Sequence, residues 1–117
     1  MRHRKGNAKL GLPTDQRLAL IRNGARSLLI HKQVQTTDRR AHEISKYVEK
    51  MITVAKANTV FSRREVLKFV SDKEVLKILF SPEMLEKYSS IKGGYTRIIK
   101  SGIRRGDAAS VSVLELI

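Results

Sequence analysis

Gly93-Gly94-Tyr95-Thr96-Arg97-Ile98-Ile99-Lys100, followed by residues 101–108 and a last β-prone run to Ile117, is the stretch that decides the fold. Two adjacent glycines free the backbone. Residues 95–100 and 111–117 are then the two best strand candidates, with Arg104-Arg105-Gly106-Asp107 in the turn between them. A hairpin is the reading, and its register stays open. Leu114 and Leu116 can face the core with Ser112, or Val111, Val113 and Ile117 can do so with Glu115 outside. The exposed parts of such a hairpin suit phosphate. Tyr95 offers a stacking face, and the forks of Arg97, Arg104 and Arg105 match phosphate oxygens in pairs, with Thr96 and Lys100 beside them. For the glycines and Asp107, ordinary turn chemistry is the plainer account.

Upstream, apolar residues recur with a helical period. Thr14 is placed as an N-cap with Asp15 on the favourable end of the dipole. Leu18, Ile21, Ala25 and Leu28, widened by Leu29, predict an amphipathic helix to about His31. Arg17, Arg22, Asn23 and Arg26 form a cationic ridge on its other side; taken alone, such a ridge is a solvated face. Val34-Gln35-Thr36-Thr37 is short and β-prone. Thr37 or Asp38 then caps a second helix, whose stripe is Ala41, Ile44, Val48, Met51, Ile52 and Ala55, while Arg39, Arg40, Lys46, Lys50 and Lys56 line its other faces.

Residues 62–88 announce short helices by their starts. Ser62-Arg63-Arg64-Glu65 and Ser71-Asp72-Lys73-Glu74 fit the capping box, and Ser81-Pro82 supplies a cap with proline at the first helical position. Val66, Leu67, Val70, Val75, Leu76, Leu79, Phe80, Met84, Leu85 and Tyr88 read as core. Acids are commoner here than elsewhere, so this segment is expected to face solvent or protein. The expected fold is α+β: one helix-rich domain over residues 14–117, packed on a small mixed sheet that includes the C-terminal hairpin, after a basic extension over residues 1–13.

Charge narrows the function. Among 117 residues, 24 Lys and Arg face 11 Asp and Glu, a formal +13 that opposes a compact fold by self-repulsion unless a polyanion is the working partner. Nucleic acid leads, and an anionic membrane surface comes second. With 41% hydrophobic residues the chain can build a core, so disorder is not the expectation. The absence of cysteine rules out disulfides, thiolate chemistry and Cys-ligated zinc. No signal peptide or transmembrane span is expected, and the reading is a soluble cytoplasmic protein. Arg2, His3, Arg4, Lys5 and Lys9 stand near the start without a single acid, as a basic arm that orders on RNA.

Enzyme motifs fail one by one. Gly6 and Gly11 have P-loop spacing, but Leu12-Pro13 stands where Lys-Ser/Thr is required. His42-Glu43 begins like a zincin helix, yet Lys46 occupies the closing position. No serine sits in Gly-x-Ser-x-Gly and no carboxylate dyad is visible. Neither a cofactor, a metal nor a small-molecule substrate is expected. A DNA-binding architectural protein is the alternative function, and a metal-independent ribonuclease built on His31 or His42 is a third.

Met1-Arg2-His3-Arg4-Lys5, Arg22-Asn23 with Ser27-Leu28 and His31, Thr36-Thr37, and Ile52-Thr53-Val54-Ala55-Lys56 form one set of recognisable segments. It continues through Asp72-Lys73-Glu74-Val75, Leu79-Phe80, Gly93-Gly94-Tyr95-Thr96-Arg97-Ile98, Arg104-Arg105-Gly106-Asp107-Ala108 and Glu115-Leu116. In these segments the chain resembles the bacterial large-subunit ribosomal protein seventeen family. The sequence departs from that pattern at Gln16, where His is frequent, and at Ile103 and Ser110, where Pro is frequent. The resemblance implies a mixed α/β domain with a basic N-terminal extension and a structural role. It also implies large-subunit ribosomal RNA as partner, together with neighbouring ribosomal proteins, near the exit of the nascent-peptide tunnel.

Overall fold

The computed structural model describes residues 10–117. Five helices and three strands follow in the order α1 (Thr14–His31), β1 (Gln33–Thr37), α2 (Asp38–Ala55), α3 (Val60–Phe69), α4 (Lys73–Leu79), α5 (Pro82–Tyr88), β2 (Thr96–Ile103) and β3 (Ser110–Leu116). This is the expected α+β fold.

Helices α1 and α2 carry the core on the predicted stripes. Ile21, Ala25, Leu28 and Leu29 of α1 meet Ala41, Ile44, Val48, Met51, Ile52 and Ala55 of α2, all buried. Burying one such Leu or Ile removes enough apolar surface to stabilise by about 1.5–3 kcal/mol. The two helices cross closely at Gly24, where a Cβ would come within 2.8 Å of both Cγ1 and Cδ1 of Ile44. Glycine costs about 1 kcal/mol against alanine inside a helix; here a Cβ would force the buried Ile44 side chain to shift.

The sheet has the order β1-β3-β2 and is antiparallel throughout, not mixed. Near the start of β3, Val111 pairs with Thr37 at the end of β1, and Glu115 near the end of β3 pairs with Gln33 at the start of β1, so the two strands run in opposite directions. Ile103 and Ser110 pair at the turn end of the hairpin, with a bulge between Lys100 and Gly102. The register is resolved in favour of Ser112 and Leu114, both fully buried, with Leu116 half-buried and Ile117 exposed. Two side chains fix the sheet to α2. Ser112 Oγ donates to Asp38 Oδ1 at 2.8 Å, and Thr96 Oγ1 donates to Glu49 Oε1 at 2.7 Å.

Several helix starts differ from expectation. Thr14 lies inside α1, whose cap position is Pro13 and has no side-chain bond. Thr37 is the residue before α2, also without a side-chain cap bond. The capping box of α3 is one turn earlier than Ser62–Glu65. Thr59 Oγ1 accepts from the Ser62 backbone N–H at 3.1 Å, and the Thr59 N–H donates to Ser62 Oγ at 2.8 Å. Helix α4 is capped by Asp72, which accepts from Glu74 N at 2.9 Å, whereas Ser71 Oγ turns back to the Leu67 carbonyl. Ser81 caps α5 as read, with Pro82 at its first position. Leu67 is exposed, because it lies on the outer side of α3 while Val66 and Val70 point inward.

Candidate nucleic-acid interface

The hairpin meets the core through Tyr95, which is 1% exposed. Its ring packs edge-on against Tyr88 with centroids 5.3 Å apart, and its hydroxyl accepts from Thr53 Oγ1 at 3.4 Å and from Lys56 Nζ at 3.2 Å. The Thr53 bond, with Lys56 adding to it, holds the Tyr95 phenol below its usual range; burial pushes that of Tyr88 up. The structure therefore corrects the stacking role expected of Tyr95: the ring is a core element and offers no face to a base. Gly94, at φ +67°, makes the left-handed turn that swings the chain into this position. Thr96 is half-buried and committed to Glu49.

The hairpin cations divide by partner. Arg97 Nε donates to Glu115 Oε1 across the strands at 2.7 Å. Arg104 Nε donates to both carboxylate oxygens of Asp107, at 3.1 and 3.2 Å, and Asp107 Oδ1 also accepts from Ala109 N. Asp107 is thus the turn carboxylate expected. The Arg104 guanidinium, helped by the Ala109 N–H, lowers its pKa to about 2. Lys100 and Arg105 are exposed and carry no ion pair among the described residues.

The ridge on α1 is tied down in part. Arg26 pairs with Asp72 and reaches Glu74 at 3.8 Å, so α1 is bound to the start of α4 and the Asp72 carboxyl lies below its ordinary range. The Arg22 guanidinium stands 5.9 Å above the Phe69 ring, which itself stacks on Tyr47. Asn23 is exposed and Arg17 half-buried. Arg39 and Arg40 differ from these: both are exposed at the start of α2 without an ion pair among the described residues.

Two neighbouring clefts bring separate stretches of sequence to one end of the molecule. Leu10, Thr37, Arg39 and Arg40 line an open cleft of about 430 Å³. Gln35, Thr36, Gly102, Arg104 and Val111 line another of about 400 Å³, and Thr36 and Thr37 join the two. The chain entering from the basic extension, the start of α2 and the far end of the hairpin are therefore adjacent. Arg2, His3, Arg4, Lys5 and Lys9 themselves lie outside the described residues.

One set of cations was missed from sequence. Arg63, Lys73 and Lys77 belong to the segment set aside for its acids, but the acids of α3 and the start of α4 are engaged elsewhere, Glu65 with Lys68 and Asp72 and Glu74 with Arg26, while Glu83 and Glu86 lie in α5. Capping motifs were the signal available, and they located Asp72 without revealing its distant partner. Among the described residues no three His, Asp or Glu side chains gather as metal ligands, and no helix is long and apolar enough to cross a membrane.

Fold and surface together define a class: a small, strongly basic α+β domain whose chemistry lies on open cationic surfaces. Residues 20–117 match the family described as ribosomal protein L17. The chain is 50% identical to the large ribosomal subunit protein bL17 of Clostridium beijerinckii, over 96% of this chain and 98% of that protein. The protein of the same name from Clostridium acetobutylicum is 51% identical, with 96% and 97% covered. The chain belongs to the ribosomal protein L17 family.

Proposed function

We propose that this protein is a structural constituent of the bacterial large ribosomal subunit that binds ribosomal RNA and stabilises its fold near the exit of the nascent-peptide tunnel. The observation that carries the reading is the convergence of the root of the basic extension, of Arg39 and Arg40, which have no ion pair among the described residues, and of the hairpin end at Arg104, with Arg105 next to it in the turn. Residues 1–13 act as an extension that enters between RNA segments, while the domain over residues 14–117 holds the other cations on a rigid core. Arg17, Arg22, Asn23, Arg26, Arg97 and Lys100 add contacts along its sides.

Such contacts neutralise phosphate and position the protein; they do not read sequence, so specificity comes from RNA shape. The role is scaffolding, carried out in the cytoplasm within the ribosome and beside neighbouring ribosomal proteins. Crosslinking in gently lysed bacterial cells, followed by sequencing of the bound nucleic acid, tests this directly. Recovery of large-subunit ribosomal RNA is the expected result. Recovery of DNA, or sedimentation of the protein free of large subunits, would overturn it, the former in favour of an architectural DNA-binding role.

A further inference from the structure

We propose that the cleft between α3 and α4 is a second RNA site, which takes phosphates of an unpaired strand on Arg63, Lys73 and Lys77 and a nucleoside beside Leu76 on the outer face of the Arg63 guanidinium, which the buried Phe80 ring backs. These five residues line an open cleft of about 380 Å³ that contains no carboxylate. The site rests on the RNA-binding reading above and deepens it. It also lies on a different part of the molecule, since α3 and α4 pack on α2 and α1, whereas the first surface surrounds the sheet end.

Three observations carry the assignment. The first is the sorting of charge. Glu65, Asp72 and Glu74, the acids of α3 and the start of α4, pair with Lys68 and Arg26, and Arg63, Lys73 and Lys77 keep no ion pair among the described residues. The second is repulsion within α4. Lys73 and Lys77 are one turn apart, an arrangement that opposes a short helix and that a bound anion would relieve. The third is preorganisation: the Arg63 guanidinium is laid over the Phe80 ring, 5.2 Å from its centroid.

The stacked guanidinium is what favours RNA over an acidic protein segment. Guanidinium planes and aromatic faces are the surfaces on which unpaired bases stack, and the fork edge of Arg63 remains free to meet phosphate. Lys73 and Lys77 then serve as point charges along the backbone.

The test uses the full chain and a fluorescent transcript of bacterial large-subunit ribosomal RNA, with affinity measured against KCl concentration. In the Lys73→Gln/Lys77→Gln double variant, affinity at low salt should fall about tenfold and the slope of log K against log salt should flatten by roughly 1–2, as expected when two phosphate contacts are lost. A second double variant, Lys87→Gln/Lys92→Gln, removes the same charge outside the cleft and should change the slope less. Equal losses in the two variants, or none in the first while the parent binds, would overturn the site and leave the general RNA reading intact. Failure of the parent itself to bind the transcript would overturn that reading and the site with it. In isolated large subunits, nucleotide adducts on residues 63–80 after ultraviolet crosslinking support the proposal. Crosslinks from Lys73 or Lys77 to a protein, with no nucleotide adduct, overturn it.

Discussion

At its base the hairpin is fixed in the core. Tyr95 packs on Tyr88, Tyr88 donates its hydroxyl to the Ile117 carbonyl at 3.0 Å, and Ile117 N returns a bond to the Tyr95 carbonyl. At its far end the same two strands stand in solvent, where Ile103 is 74% exposed and Arg104 is held only by Asp107 among the described ion pairs. Residues that look alike as binding candidates in one short motif are thus separated by depth. Base residues set the fold, and end residues stand in solvent.

The sharpest way to break this contrast is at Tyr95. Replacing it with alanine should cost about 3–5 kcal/mol in denaturant unfolding, the range for deleting a large buried aromatic ring. Tyr95→Leu, measured where it is still folded, should keep the parent's affinity for ribosomal RNA; a loss of affinity there would place the ring at the RNA after all. Next in size is Ser112→Ala, which leaves Asp38 without its buried donor and should cost about 1–2 kcal/mol.

At the other end, Arg104→Gln/Arg105→Gln should move stability by less than about 0.5 kcal/mol. RNA affinity should nevertheless fall several-fold, with a flatter salt dependence. A variant that lost stability instead would make the far end a fold element. The smallest effect is a pH dependence at Asp107. Its carboxyl titrates near 2 in the folded state against 3.8 ordinarily, so its contribution is present above that ordinary value and is lost as pH falls toward 2. NMR titration should show this, and Arg104→Gln should bring the value back up.

Much of the architecture was legible because its signals are local. The stripes of α1 and α2, the Ser81-Pro82 start and the hairpin all came from periodicity and turn residues. What stayed hidden depends on distant partners. The register of β3 had two apolar sets to choose between, and the choice is bound up with Ser112 reaching Asp38, 74 positions away. Arg26 looked like a free ridge cation until Asp72, 46 positions away, proved to be its partner. Tyr95 was assigned to the surface because Tyr88, which covers it, comes from a separate element, the end of α5. Gly24 drew no notice, since a helix period cannot show which helix will cross it.

The strand order has a consequence in time. Strand β3 is made after both of its neighbours, yet it lies between them. During synthesis β1 therefore waits unpaired while four helices, α2 to α5, and β2 are produced, and loops this long close slowly. The helices can associate early, but the sheet closes only when the last strand arrives. For a nascent molecule, the arginines beside β1 and at the hairpin end come together in that final step, so this cationic surface is completed abruptly and late.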